Sequence, residues 1–131
     1  REAARGTTAL WFSAIFGHAE VVEELARLGG DVNAASEPGV FDTTPTWIAA
    51  RQGNTAVIKA LCGLKADVNR ALKDGRTPLF VAAEKGHTAV IEELGRAGAD
   101  VSQAGTDGTT PLRIAISKGH TATAEALRRL G

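Results

Sequence analysis

Apolar residues in the middle of the chain follow helical spacing in two short segments that a glycine separates. Leu79, Ala82 and Ala83 lie at positions i, i+3 and i+4, which places them on one face of a helix. Gly86 interrupts this pattern, which resumes between residues 88 and 97. The apolar side of the second segment consists of Val90, Ile91 and Leu94. The pattern predicts two short helices, and the small residues on the first allow another helix to approach closely.

Helix and turn signals flank these two segments. The hydroxyl of Thr77 can cap the first free amides of a helix, and Pro78 follows where its missing N–H costs nothing. Gly98 stands where a left-handed residue ends a helix. Asp107-Gly108, just ahead of the next Thr-Pro pair, is a tight-turn signal. This stretch is therefore predicted to form a helix, a turn, a second helix and a hairpin.

The same signals recur along the chain with one period. Thr-Pro pairs begin at Thr44, Thr77 and Thr110, which are 33 residues apart, and Thr8-Ala9-Leu10 precedes the first pair by 36 residues. A glycine keeps these spacings at Gly17, Gly53, Gly86 and Gly119. An Asp-Val pair keeps them at Asp31, Asp67 and Asp100. Three markers that share one period predict four tandem units.

A pair of helices about ten residues long cannot bury its apolar face alone, so the units must stack into an elongated array with a continuous core. The array resembles the ankyrin repeat family in three stretches: Thr77-Pro78-Leu79-Phe80-Val81-Ala82-Ala83, Glu84-Lys85-Gly86-His87 and Gly98-Ala99-Asp100-Val101. The resemblance implies an all-α solenoid of helix-turn-helix units joined by β-hairpin-like loops. It implies a single domain, 1–131, with repeats at about 3–35, 39–71, 72–104 and 105–131.

The chain departs from the family pattern at several positions. Four residues replace the histidine that usually follows Thr-Pro-Leu in the family: Trp11, Trp47, Phe80 and Arg113. We therefore expect the hydrogen bonds of that histidine to be absent and stacked aromatics to replace them. Lys65 stands where the family usually has a helix-ending glycine, so we expect a left-handed backbone there. The loop from 34 to 43 is three residues longer than its counterpart from 70 to 76, and we expect it to be irregular.

The second helices lack a large apolar side chain at the position where such repeats often carry a second leucine. The residues at this position are Ala26, Cys62, Gly95 and Arg128. The small ones indicate either close contact or weak packing. Arg128, together with Thr123 and Ala124, makes the last unit more polar, which is typical of a terminal capping repeat.

Composition and charge narrow the function classes. Lys plus Arg (15) equal Asp plus Glu (15), so no net positive field attracts nucleic acid or an anionic membrane. Hydrophobic residues (44%) are abundant enough for a folded core but too interrupted for membrane insertion. The single cysteine, Cys62, excludes an internal disulfide, and we expect a reducing, intracellular compartment. The chain has no Met and no signal segment, so we expect it to be part of a longer protein.

The candidate catalytic groups form no constellation. His18, His87 and His120 occupy the same turn position in separate units, which favours a structural role over a metal site. Cys62 is predicted to be a buried, inert thiol because no histidine shares its unit. Adjacent carboxylates, as at Glu92-Glu93, point in different directions on a helix and are predicted to be solvated. Phosphate-binding loops and hydrolase motifs are missing, so we expect no cofactor, no metal and no enzymatic activity.

Positions that vary between units on a fixed frame are candidates for partner recognition. The residues after the paired small residues of each first helix are chemically unlike one another: Ile15-Phe16, Arg51-Gln52, Glu84-Lys85 and Ser117-Lys118. The resemblance implies that these positions line a concave groove. By the same resemblance, hairpin tips form its rim, here Val40, Phe41, Lys73, Asp74, Arg76, Thr106, Asp107 and Thr109. We include Trp11, Trp47, Phe80 and Arg113 among the predicted partner-binding residues.

The sequence therefore favours a non-catalytic module that binds another protein through the groove and the hairpin loops. The alternative is a structural subunit or rigid spacer within a larger assembly. The identity of the partner and the oligomeric state stay open. For any single groove position, an unconstrained surface residue is the competing interpretation.

The first unit is unusually apolar. Phe12 corresponds to apolar residues in every other unit and is predicted to lie in the interior. Ile15 and Phe16 correspond to polar residues and are predicted to be exposed, forming with Trp11 an apolar patch near Trp47 that anchors a partner. The rival explanation is that a preceding repeat or another domain covers them.

Overall fold

The computed structural model describes the backbone of residues 2–33 and 43–131 and the side chains of residues 9–33 and 43–131. Within these ranges the chain forms eight helices: α1 (Glu2–Ile15), α2 (Ala19–Arg27), α3 (Pro45–Gln52), α4 (Thr55–Gly63), α5 (Pro78–Lys85), α6 (Thr88–Arg96), α7 (Pro111–Ser117) and α8 (Thr121–Leu130). They form four successive pairs, α1–α2, α3–α4, α5–α6 and α7–α8, which we call units 1 to 4. The odd-numbered helices are the first helices of these units, and the even-numbered ones are the second helices.

Threonine and proline start the first helices of units 2 to 4, as the sequence predicts. The side chain of Thr77 accepts a hydrogen bond from the backbone N–H of Phe80 at 3.1 Å. Thr44 and Thr110 cap α3 and α7 in the same way. Proline occupies the first turn of all three helices, where no N–H partner is lost. The repeated Thr-Pro pair therefore determines where these three helices start.

The eight helices lie in two layers. Each first helix packs against the first helix of the next unit, and each second helix packs against the next second helix. One continuous core lies between the layers, and its largest fully buried apolar residues are Leu10, Ile58, Leu61, Leu79, Ile91 and Leu94. Every unit therefore buries its apolar faces against its own partner helix and its sequence neighbours, which is the solenoid that the repeats predict.

The connections from unit 2 to unit 3 and from unit 3 to unit 4 are tight turns, and the described residues contain no strand. The N–H of Leu72 donates to the carbonyl of Arg76 at 2.9 Å, and the N–H of Gly105 donates to that of Thr109 at 3.0 Å. Lys65 has a φ of 66°, which confirms the left-handed backbone predicted for this position. The loop from 34 to 42, expected to be irregular, lies outside the described residues.

Close contact, rather than loose packing, explains the glycine in α6. A Cβ atom added to Gly95 would lie 2.6 Å from the Cδ atoms of Leu130 in α8. The small residue therefore makes room for the last residue of the next second helix. None of the helices in the described part of the chain has the length and apolar composition that crossing a bilayer requires.

Unit 1 differs from the other units in two respects. Its first helix, α1, begins at Glu2, ahead of the position of the cap threonines in the other units, because no proline follows Thr8 and helix-forming residues precede it. Phe12 was expected in the interior, but its side chain is 49% exposed. It occupies the position of Ile48 and Val81, which are buried in units that have another unit ahead of them.

Candidate partner-binding surface

In the two central units, the exposed side chains of the first helices concentrate in the last turn of the helix. In α3, residues from Pro45 to Ala50 are buried and only Arg51 and Gln52 are exposed. In α5, residues from Pro78 to Ala83 are buried, Glu84 is half-buried and Lys85 is exposed. The paired alanines let neighbouring first helices approach closely, so the last turns of all first helices form one surface.

We call this surface the inner surface; it consists of Ile15, Phe16, Arg51, Gln52, Glu84, Lys85, Arg113, Ser117 and Lys118. Phe16 is its most exposed apolar residue, with 69% of the residue accessible. Ile15 was predicted to be exposed, but it is half-buried because it packs against the core. The surface is thus apolar in unit 1 and mostly charged in units 2 to 4.

Three of the predicted contact residues are buried and do not belong to this surface. Trp11, Trp47 and Phe80 each lie almost wholly in the core, so the expectation that the tryptophans form an exposed patch is wrong. The indole N–H of Trp11 donates to the hydroxyl of Thr43 at 2.9 Å, and that of Trp47 donates to the carbonyl of Arg76 at 3.2 Å. The tryptophans therefore bond α1 and α3 to the segment that leads into the next unit, although the replacement of the family's histidine predicts the loss of such a link.

The described hairpin tips extend the inner surface. Lys73, Asp74, Thr106 and Asp107 are exposed, whereas Arg76 is half-buried. Val40 and Phe41 lie outside the described residues. The backbone N–H of Thr106 donates to the carbonyl of Asp74 at 3.0 Å, which joins the two tips.

Both acidic residues of the tips have partners within the loops. Asp74 accepts a hydrogen bond from Nε of Arg76 at 2.7 Å, and the guanidinium of Arg76 also lies 5.6 Å from the ring centre of Trp47. Asp107 accepts from the backbone N–H of Thr109 at 3.0 Å. Hydrogen bonds from the backbone and the side chain of Thr109 lower the pKa of the Asp107 carboxyl. These hydrogen bonds help to hold the shape of the tips, while both carboxylates stay at the surface.

A side chain at the start of three second helices bonds back to the preceding unit. Nε2 of His87 lies 3.0 Å from the carbonyl oxygen of Arg51, and Nε2 of His120 lies 3.1 Å from that of Glu84. Asn54 uses Nδ2 in the same way, donating to the carbonyl of Ala14 at 2.9 Å. The shared turn position indicates a structural role for these residues, and the hydrogen bonds show what that role is: each side chain links its unit to the preceding one.

A shallow depression joins the last tip to α7. Its volume is about 460 Å³, and it is lined by Thr109, Arg113, Ile114, Ile116 and Ser117. It offers one guanidinium, two hydroxyls and aliphatic surface.

A family model described as ankyrin repeats (3 copies) matches residues 1–71 and 47–131. The chain belongs to the ankyrin repeat family. Ankyrin repeats are generally protein–protein interaction modules, and the family is generally non-enzymatic. No curated protein sequence matches the chain.

The reactive groups of this ankyrin-repeat chain are dispersed. Cys62 is half-buried, and burial, followed by the nearby charge of Glu93, raises the pKa of its thiol. A raised pKa disfavours the thiolate that nucleophilic chemistry requires. Across the residues that the structure describes, no three His, Cys, Asp or Glu side chains are grouped to hold a metal ion.

Proposed function

We propose that this ankyrin-repeat chain is a non-catalytic module that holds a partner protein on its inner surface and hairpin tips. The observation that carries the proposal is the contrast between a fixed frame and a variable surface. The paired alanines and the cap threonines are the same in units 2 and 3, and all of them are buried. The exposed positions beside them change from Gln52 to Lys85 between the same two units. The frame needs only helices that stack, so this variation favours recognition.

The charge of the surface supports a partner segment that carries carboxylates. The described inner surface and tips carry three acidic residues, Asp74, Glu84 and Asp107. They carry six basic ones: Arg51, Lys73, Arg76, Lys85, Arg113 and Lys118. One of the six, Arg76, pairs with Asp74. The chain as a whole has a formal net charge of +0, so this basic excess is local to the surface. Basic side chains beside one another attract an acidic segment and speed its association.

Photocrosslinking tests the location of the binding surface. A benzophenone side chain is introduced in place of Gln52 or Lys85 on the inner surface, and in place of Ala56 or Ala89 on the second helices as matched controls. All four residues lie on helices and all four are exposed. We expect the two inner positions to crosslink a protein in cell extracts and the two outer positions to give no such product.

Charge reversal tests the chemistry of the partner. The double variant Lys85→Glu with Lys118→Glu should weaken the affinity for the crosslinked protein at least tenfold. Lys59→Glu on α4 is the control and should leave this affinity unchanged. If crosslinking occurs only at the outer positions or the ends of the array, the spacer interpretation replaces this proposal. If inner crosslinks form but charge reversal has no effect, the surface is correct and the acidic character of the partner is wrong.

A further inference from the structure

The outer face of unit 1 exposes Val21, at a position that is buried in the other three units. Val21 in α2 is 45% exposed. The residues at the same position in units 2 to 4 are Val57, Val90 and Thr123, all of which are at most 1% exposed. Each of those three lies in a unit with another unit ahead of it. The exposure of Val21 therefore reflects a missing neighbour rather than a different kind of position.

Phe12 on α1 is the most exposed residue at its position in the four units. It is about half exposed, whereas Ile48 and Val81 are almost completely buried and Ile114 in the last unit is half-buried. Phe12 also stacks on Phe16, with ring centres 6.4 Å apart. Aromatic surface thus continues from this end face onto the inner surface.

His18 stands at the position of the residues that bond back to a preceding unit. His87 and His120 reach a carbonyl oxygen near the end of the previous first helix, and Asn54 does the same. The ring of His18 is exposed and has no hydrogen bond to any residue that the structure describes. Unit 1 therefore carries the donor of this contact without its acceptor.

The sequence just ahead of unit 1 carries the hairpin signal of the internal junctions. Gly6-Thr7-Thr8 matches Gly75-Arg76-Thr77 and Gly108-Thr109-Thr110. In those two junctions the glycine has a positive φ, 85° and 82°, and the last threonine caps the next first helix. In unit 1 the same three residues lie inside α1. A helix interior uses neither a left-handed glycine nor an N-cap, so this signal serves a junction with a unit ahead of α1.

The opposite end of the array lacks the features of a stacking face. Ile116 is 53% exposed at the position where Ala14, Ala50 and Ala83 are completely buried against the next unit. Arg113 takes the place of the buried aromatic residues Trp47 and Phe80. A larger side chain and a charge on this face oppose the close approach of another helix pair, which disfavours head-to-tail stacking of two copies.

We propose that the face formed by Phe12, His18 and Val21 binds a further ankyrin repeat, joined ahead of α1 in the same polypeptide. The first helix of that repeat supplies the carbonyl acceptor for Nε2 of His18, as Arg51 does for His87. The first helix of that repeat packs on Phe12 and its second helix packs on Val21, and Gly6-Thr7-Thr8 leaves α1 to form the connecting hairpin. The proposal does not depend on the inner surface or on its partner.

Fusing one more unit to the chain tests this proposal. A copy of residues 72–104 is placed directly before Ala3, which keeps the natural register. In the chain itself, the helices of this unit pack on those of the unit that follows. We expect a higher urea midpoint than for the original chain. Hydrogen exchange of the α2 amides should slow at least tenfold. Unchanged midpoint and unchanged α2 exchange would overturn the proposal.

Two controls connect the gain to this face. Val21→Asp should abolish the gain in the fused chain while leaving the original chain nearly unchanged, because Val21 is half exposed there. A copy of residues 99–131 fused behind Gly131 should give no comparable gain, since it meets Arg113 and Ile116. An equal gain at both ends would contradict the proposal. Sedimentation of the original chain completes the test: self-association that Val21→Asp abolishes would mean that a second copy covers the face.

Discussion

One buried hydroxyl in α3 gives a sharp test of how the core is built. Thr46 is 1% exposed, and its Oγ1 has no hydrogen-bond partner among the described residues. The equivalent positions in the other units hold Leu10, Leu79 and Leu112. Burying an unpaired hydroxyl costs about 1–3 kcal/mol, and valine has nearly the shape of threonine. Thr46→Val should therefore raise the free energy of unfolding by about 1 kcal/mol.

The matched control is the same substitution at a threonine whose hydroxyl is paired. Oγ1 of Thr123 lies 2.8 Å from Oγ1 of Thr88, and Thr123 is as deeply buried as Thr46. Thr123→Val removes this bond and leaves the hydroxyl of Thr88 without its partner, so it should lower the stability by about 1 kcal/mol.

Urea unfolding followed by circular dichroism measures both changes, with equal m-values as the check that the same surface unfolds. The opposite signs are the diagnostic result. If Thr46→Val destabilised the chain by more than about half a kcal/mol, the hydroxyl of Thr46 would be paired in solution and the reasoning would be refuted.

Three further predictions follow from pairs of equivalent positions and from one titrating group. Val90→Ala removes two buried carbons and should cost about 2 kcal/mol, whereas Val21→Ala, at the half-exposed equivalent, should cost less than about 1 kcal/mol; equal losses in urea melts would contradict a continuous core. Gly86→Ala should lower the thermal midpoint more than Gly119→Ala. Both glycines have a positive φ, but of the two only Gly86 would place the new Cβ 2.8 Å from a histidine ring. Nearly identical thermal midpoints would exclude that contact. The pKa of the Asp107 carboxyl is depressed in the folded chain, so its stabilising contribution is complete above about pH 4 and is lost as the pH falls through the folded-state value. Asp107→Asn should therefore flatten the acid limb of the curve of stability against pH. An unchanged limb would show that this hydrogen bond does not contribute to stability.

The sequence predicts the periodic features well because each depends on local chemistry. Thr77 and Pro78 start a helix through contacts with the few residues that follow them. Lys65 takes a left-handed backbone because a helix must end there. The repeat period then determines which helices are neighbours. These features need no knowledge of what lies across a packing interface.

The sequence predicts less well which side of a first helix a residue faces. Phe12 was assigned to the interior because its equivalents are apolar, but that equivalence holds only when a unit has neighbours on both sides. Trp11 and Trp47 were expected at the surface, yet each finds a hydrogen-bond acceptor in the loop of the next unit. A large amphipathic ring is compatible with either place, and only the three-dimensional neighbours decide between them.

The packing of each unit only on its immediate neighbours has a mechanical consequence. Nothing ties the first described helix pair to the last, so a small rotation at each of the three junctions adds to the next along the stack. The curvature of the array can therefore change while every buried contact within a unit is kept. Hydrogen bonds across the junctions, such as the one from Nε2 of His87 to the carbonyl of Arg51, resist this change and so contribute to the stiffness of the array against bending.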